Sequence, residues 1–169
     1  MNFSLWVDAD SCPVQVRTII IKFSLRLKIK SFFVANRKIP LSNHSKNSKE
    51  LIKMIRTETF KDAADDYIVE HAEGNDLVIT RDIPLASRLI EKEITVINDR
   101  GKTFTKENIK EELSIRNFNF ELALCGIQSD RIHTYNQKDL NNFSNCLDRE
   151  IQKKIRKQNS LTNQEKDSE

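Results

Sequence analysis

Aspartates stand at the ends of strand-like apolar runs, and they are the residues of this chain best suited to chemistry. Asp8 and Asp10 follow the run at residues 3–7, Asp82 follows Leu77-Val78-Ile79-Thr80, and Asp99 follows Ile94-Thr95-Val96-Ile97. A further group, Asp62, Asp65 and Asp66, opens a helical stretch. In open parallel sheets, ligands bind beyond the carboxyl ends of the strands, near the switch point in strand order. Carboxylates far apart in sequence therefore converge there. Crowded carboxylates repel one another, and a divalent cation such as Mg²⁺ or Mn²⁺ relieves that repulsion. The chemistry expected is metal-dependent attack on phosphate esters.

The acidic residues differ in how well a plain structural role explains them. An aspartate directly after a buried strand, such as Asp8, loses hydration unless a cation or donor compensates. Asp10, before a helix, also suits a turn or cap. Asp62, Asp65 and Asp66 lie at i, i+3 and i+4, and the first two match a capping box favoured by the helix dipole. Asp66 is not needed for that motif, and its like-charged i+4 neighbour Glu70 makes sense beside a metal. Asp82 repeats the placement of Asp8 but also suits an N-cap ahead of Pro84, while Asp99 fits a simple turn. Cys12 sits near a helix start that would lower its pKa, yet a packing or capping role is preferred because no His or Asn partner is evident. His44, His71 and His133 show no ligand spacing.

Positive charge is unevenly spread. Between Asp10 and Glu50 there is no acidic residue, whereas Arg17, Lys22, Arg26, Lys28, Lys30, Arg37, Lys38, Lys46 and Lys49 all fall there. Such a stretch attracts phosphate, or is simply a solvated lysine-rich face. Arg37 and Lys38 follow a predicted second strand, which puts them at the edge that carries the aspartates.

The elements that would position these groups follow from periodicity. Residues 3–7 read as a buried strand, and a helix then runs to about residue 27, with Pro13 in its first turn and Ser11 or Cys12 as cap. Residues 29–35 alternate as a second strand, residues 41–50 are polar and loop-like, and residues 51–55 read as a third strand. Asp62 starts a helix that stops at Gly74. Strands at 77–80 and 94–97 enclose a helix at 84–91. Thr105 caps a helix through Leu113, a separate helix follows near 118–125, and the last spans about 138–157.

Strands alternating with helices imply a three-layer α/β/α sandwich around a mostly parallel sheet of about five strands. The chain has 169 residues, 38% of them hydrophobic and 31% charged, with a net charge of +3, as expected of one soluble domain over residues 1–157. The polar residues 158–169 are expected to form a disordered tail. Three well-separated cysteines without CxxC spacing argue for reduced thiols rather than zinc or disulfides. With no apolar run of about 20 residues and no signal-peptide pattern, a cytoplasmic protein without membrane contact is expected.

Residues 8–14 (DADSCPV), 62–70 (DAADDYIVE) and 76–86 (DLVITRDIPLA) resemble the signatures of the uncharacterised bacterial YaiI/YqxD family, which is grouped with PIN-like domains. Residues 36–40 (NRKIP) and 100–109 fit the same pattern, whereas the segment around 126–135 departs from it. The resemblance implies a PIN-like fold and a metal-dependent ribonuclease. Carried over position by position, it implies an acidic site of Asp8, Asp66 with Asp62 or Glu70, and Asp82, with Asp99 at its margin. In the reading adopted, Asp8, Asp66 and Asp82 are catalytic, Asp8, Asp10, Asp62, Asp66 and Asp82 hold Mg²⁺ or Mn²⁺, and Arg37, Lys38, Arg81 and Arg100 position RNA phosphates. Two alternatives stand beside it. One is a haloacid-dehalogenase-like phosphatase using Asp8-x-Asp10, which would need a Ser or Thr where the second strand ends in Asn36-Arg37. The other is a catalytically idle nucleic-acid-binding module.

Overall fold

The computed structural model describes residues 2–41, 50–127 and 135–166, with side chains as far as Ser160. Its elements are β1 (Ser4–Asp8), α1 (Val14–Leu27), β2 (Lys30–Ala35), β3 (Ile52–Arg56), α2 (Ala63–His71), β4 (Leu77–Ile79), α3 (Ile83–Glu91), β5 (Thr95–Ile97), β6 (Thr103–Phe104), α4 (Ile109–Leu124) and α5 (Gln137–Lys166). Among the described residues, six strands form one sheet in the order β3-β2-β1-β4-β5-β6. All neighbours are parallel except the β5–β6 pair, which is antiparallel. Strand order reverses at β1, so the switch point lies between β1 and β4, where Asp8 ends its strand.

Both faces of the sheet are apolar, which is what a doubly covered parallel sheet requires. Successive side chains alternate between faces. Leu5, Val7, Phe33, Leu77, Ile79 and Ile97 point to one side, packing with Val16 and Ile20 of α1 and with Phe143, Leu147 and Ile151 of α5. Trp6, Val34, Val78 and Val96 point to the other, packing with Ile68 of α2, Leu85 and Leu89 of α3, and Ile109 at the start of α4. The fold is therefore an α/β/α sandwich. Each fully buried aliphatic or aromatic side chain contributes about 1.5–3 kcal/mol.

Several boundaries differ from those read off the sequence. The sheet has six strands rather than five, because the short strand β6 folds back on β5 after the turn at Asn98–Lys102. Gly101 makes that turn with φ +82°, and a Cβ there would lie 2.4 Å from the Asn142 carbonyl oxygen of α5. The helices expected at 105–113 and 118–125 are one continuous helix, α4, which begins after Thr105 and Asn108 exchange side-chain to backbone hydrogen bonds of 2.9 and 3.3 Å. Helix α5 runs on to Lys166, so residues 158–166 extend it instead of forming a separate tail. Gln, Lys and Glu are good helix formers, which outweighs the polarity that suggested disorder. Residues 42–49 and 128–134, including Lys46, Lys49, His44 and His133, lie outside the described residues. Among the described residues, no helix is long and apolar enough to cross a membrane.

Candidate functional site at the carboxyl edge of the sheet

Parallel pairing brings the strand ends into one rung. Val7 of β1 pairs with Ile79 of β4, so Asp8 and Thr80 leave the sheet side by side. The Asp8 carboxylate is 4% exposed. Its Oδ2 accepts hydrogen bonds from Thr80 Oγ1 at 2.8 Å and from Ser11 Oγ at 2.7 Å. Ser11 therefore serves Asp8 and does not cap α1, whose N-terminus has no side-chain cap and begins at Pro13. Burial raises the Asp8 pKa, the two hydroxyls oppose that, and the nearby Asp10 and Asp82 raise it further.

Helix α2 delivers the next carboxylate, and it is Asp65 rather than Asp66. Asp62 occupies the N-cap position in a left-handed conformation, φ 63°, but its side chain caps nothing, so the expected capping box does not form. Ala64 and Ile68 bury one side of α2. At 100° per residue this turns Asp65 to the edge of the buried stripe and Asp66 to the opposite, solvent side. Asp66 there meets Arg88 of α3, with Oδ1 2.7 Å from Nη2. Asp65 is half-buried, and its pKa is pushed up to about 7 by burial first and then by Asp8, Asp82 and Asp62; Arg88 only partly offsets this. Asp82 completes the group while capping α3, its Oδ1 accepting the Leu85 N–H at 2.8 Å. The acidic cluster is thus Asp8, Asp65 and Asp82, with Asp62 and Asp10 at its rim.

The remaining expected residues have other partners. Asp10 accepts the Asn36 N–H at 2.8 Å and lies 3.4 Å from Arg37 Nε, tying the ends of β1 and β2 together. Arg81 pairs with buried Asp99 at 2.7 Å. Arg100 lies 3.7 Å from Asp139 and 5.6 Å from the Tyr135 ring, so both loop arginines reach carboxylates first. Lys38 is exposed, and Arg37 keeps most of its guanidinium in water. Arg17 and Arg26 of the basic stretch are engaged by main-chain carbonyls and by Asp148 respectively. The Cys12 thiol is buried and pushed up to about 12, chiefly by desolvation, so the helix start does not activate it. The side chains of Asp8, Cys12 and Asp99 leave no room for a water between them.

Sequence reasoning missed Asp65, Arg88 and the hydroxyls of Ser11 and Thr80. The signal for Asp65 was present in the i, i+4 spacing of Ala64, Ile68 and Ala72, which fixes the inward side of α2. The donor set is all carboxylate and hydroxyl oxygen, as hard divalent cations take. Among the described residues, however, no three His, Cys, Asp or Glu side chains are grouped so as to hold a metal ion. The chemistry of the donors fits such an ion, and their present spacing is not a closed coordination set.

A family model described as "Uncharacterized BCR, YaiI/YqxD family" matches residues 6–153. A UPF0178 protein of Treponema denticola is 44% identical over 152 residues, covering 90% of this chain and 94% of that protein. A UPF0178 protein of Syntrophobacter fumaroxidans is 42% identical over 154 residues, covering 91% and 97%, and one of Treponema pallidum is 43% identical over 153 residues, covering 90% and 84%. No solved structure matches the chain. The match runs from β1 into α5 and takes in every carboxylate of the cluster, and the chain belongs to the YaiI/YqxD family.

Proposed function

We propose that the chain is a PIN-like, divalent-metal-dependent phosphodiester hydrolase acting on RNA. The observation that carries this reading is Asp65. Its half-buried carboxyl faces Asp8, Asp82 and Asp62, and burial with these like charges pushes its pKa up to about 7, with Arg88 offsetting only part of the rise. Asp8, Asp65 and Asp82 would hold the cation. A bound Mg²⁺ or Mn²⁺ supplies a water activated at neutral pH and a charge to stabilise the leaving oxygen. The chain's own residues do the rest. Thr80 and Ser11 orient Asp8 by donating to the same oxygen, and Asp82 is fixed by its cap; Arg37, exposed beside Asp10 after β2, and exposed Lys38 would meet the phosphate.

The phosphatase reading is weakened by the same geometry. Asp8 is buried with one oxygen doubly bonded by hydroxyls, which ill suits a nucleophile, and Asp10 is occupied by Asn36 and Arg37. An idle nucleic-acid-binding module is favoured by one observation, that no three carboxylates are grouped to hold an ion among the described residues.

The test is cleavage of a single-stranded RNA with Mg²⁺ or Mn²⁺, beside RNA binding in EDTA. Asp65→Asn is expected to lose cleavage at least ~100-fold, as for a residue needed in metal-assisted chemistry, and Asp66→Asn to change it little. Mn²⁺ is expected to raise the melting temperature of the wild type and to do so less for Asp65→Asn. Binding in EDTA without any metal-dependent cleavage establishes the idle module instead.

A further inference from the structure

The second half of α4 leaves the body of the protein. Ile109 is the buried residue of this helix and Leu113 is half-buried, but from Ser114 to Ile127 every residue is exposed except half-buried Leu122. The overhang is nevertheless apolar, with Phe120 61% and Leu124 73% exposed. At about 100° per residue, Ile109, Leu113, Phe120 and Leu124 fall within about 60° of one another, so the overhang carries the inward side of α4 out into solvent. Ile115 and Phe118 lie on the opposite side. Beside the first half of the helix a groove of about 560 Å³ opens, lined by Ile90 and Glu91 of α3 and by Lys106, Ile109, Lys110 and Leu113. Little of the remaining chain is fit to cover these side chains. Residues 1, 42–49, 128–134 and 161–169, whose side chains lie outside the described set, contain Met1, Ile132 and Leu161 as their only apolar residues. A helix that is apolar on more than one stripe is one that something covers.

We propose that a second copy of this chain covers the overhang, in a two-fold dimer built on antiparallel α4 helices. Ile109, Leu113, Phe120 and Leu124 are spaced by four, seven and four residues, a pattern that reads the same in both directions. An antiparallel pair therefore sets Leu124 of each copy against Ile109 of the other and Phe120 against Leu113, about an axis between Arg116 and Asn117. Each overhang thereby enters the groove of the other copy. Charge follows the same symmetry. Lys110 and Glu121 share one flank of this face, and among the described residues neither forms an ion pair. Across the axis they meet, offset by about 3 Å along the helix. Arg116 meets its own copy on the other flank, where both guanidiniums stay in water. Along α4, Lys110 and Arg116 stand against Glu111, Glu112 and Glu121, and this acidic excess disfavours a nucleic acid or an anionic lipid surface as the occupant. The dimer holds whether or not the acidic cluster cleaves RNA.

Sedimentation equilibrium of the full chain, from micromolar to millimolar concentration, tests it. The wild type is expected to show reversible monomer–dimer association. Phe120→Asp and Leu124→Asp each put a charge at an exposed position that the monomer tolerates, and each is expected to raise the dimer dissociation constant at least ~30-fold. Phe118→Asp, on the opposite side of the helix, is expected to change it less than about 3-fold. Lys110→Glu and Glu121→Lys should each weaken the dimer roughly 10-fold, and the two reversals together should restore it. Cooperative urea unfolding with the wild-type slope checks that each variant is folded. The proposal is overturned if the wild type stays monomeric at every concentration. It is equally overturned if the dimer survives both Phe120→Asp and Leu124→Asp, or if Phe118→Asp breaks it as strongly as they do. A wild-type monomer whose Leu124→Asp variant loses binding to RNA, or to vesicles of phosphatidylcholine and phosphatidylglycerol, assigns the face to that ligand instead.

Discussion

Two aspartates are buried at opposite ends of the same sheet, Asp8 at the carboxyl edge and Asp76 at the amino edge, and their surroundings differ completely. Asp76 is saturated by three N–H donors, two of the main chain and one of Trp6, and lies in the field of Lys154. Asp8 is held by two hydroxyls and faces other carboxylates. The first arrangement ties β1, β4 and the start of α2's exit loop together as structure. The second leaves surplus negative charge. Burial of a carboxylate does not by itself mark a site; the sign of what surrounds it does.

Removing each group should expose that contrast, and the largest effect is expected at Asp76. Asp76→Ala leaves the buried Trp6 indole and two main-chain N–H groups without an acceptor, a loss of about 3 kcal/mol or more in urea unfolding. Asp8→Asn in the same assay should be close to neutral or stabilising, since it removes like-charge repulsion and keeps a hydrogen-bonding side chain. A loss at Asp8 as large as that at Asp76 would erase the distinction.

Asp65 sharpens the comparison through pH. Its folded pKa is raised from 3.8 to about 7, so the folded protein holds the proton more tightly than the unfolded chain between those values. Stability therefore falls as pH rises from about 4 to about 7, and the full penalty applies above 7. Asp65→Asn is expected to be more stable than wild type by roughly 1 kcal/mol at pH 8, after solvent screening of a half-exposed group, with no difference at pH 4. Stability curves of the two proteins that stay parallel across this range would contradict the clustering.

Lys154 gives the mirror image. Burial lowers its pKa from 10.5 to about 8, so the folded protein sheds the proton first. Wild-type stability should rise as pH climbs from about 8 to about 10.5, and the gain from Lys154→Met, roughly 1 kcal/mol at pH 7, should fade over the same window. The smallest effect is expected at Asp82, where replacement by Ala removes the α3 cap for about 1 kcal/mol but also relieves repulsion with Asp8 and Asp65. Calorimetric melting should show a net change below that of the cap alone.

How much of this was legible in the sequence depends on what fixes each feature. The α/β/α layering and the parallel sheet follow from apolar runs alternating with helical spacing, and the placement of Asp8 and Asp82 at one edge follows because strand ends are easy to read. Asp65 is masked in the sequence by a capping-box pattern, which the left-handed backbone of Asp62 breaks. Arg81 and Arg100 read as phosphate ligands in the sequence because Arg81 meets Asp99 only through the pairing of β4 with β5, and Arg100 meets Asp139 only where the β5–β6 turn reaches α5, and no local spacing reveals either. Strand β6, two residues long, is defined by its partner rather than by any propensity of its own.

The position of α5 bears on how the protein is made. Phe143, Leu147 and Ile151 are fully buried against Leu5, Val7 and Ile79, so the last helix closes the face of the sheet laid down first. During synthesis from the amino terminus, all six described strands are complete by Phe104, yet the part of this face that α5 covers, beside α1, stays open until the ribosome has released residues beyond 151. At about 5–20 residues per second that interval lasts several seconds. Nascent chains stalled before residue 140 should therefore bind chaperones and aggregate, and the tight seat of Gly101 against Asn142 makes closure a step that waits for α5.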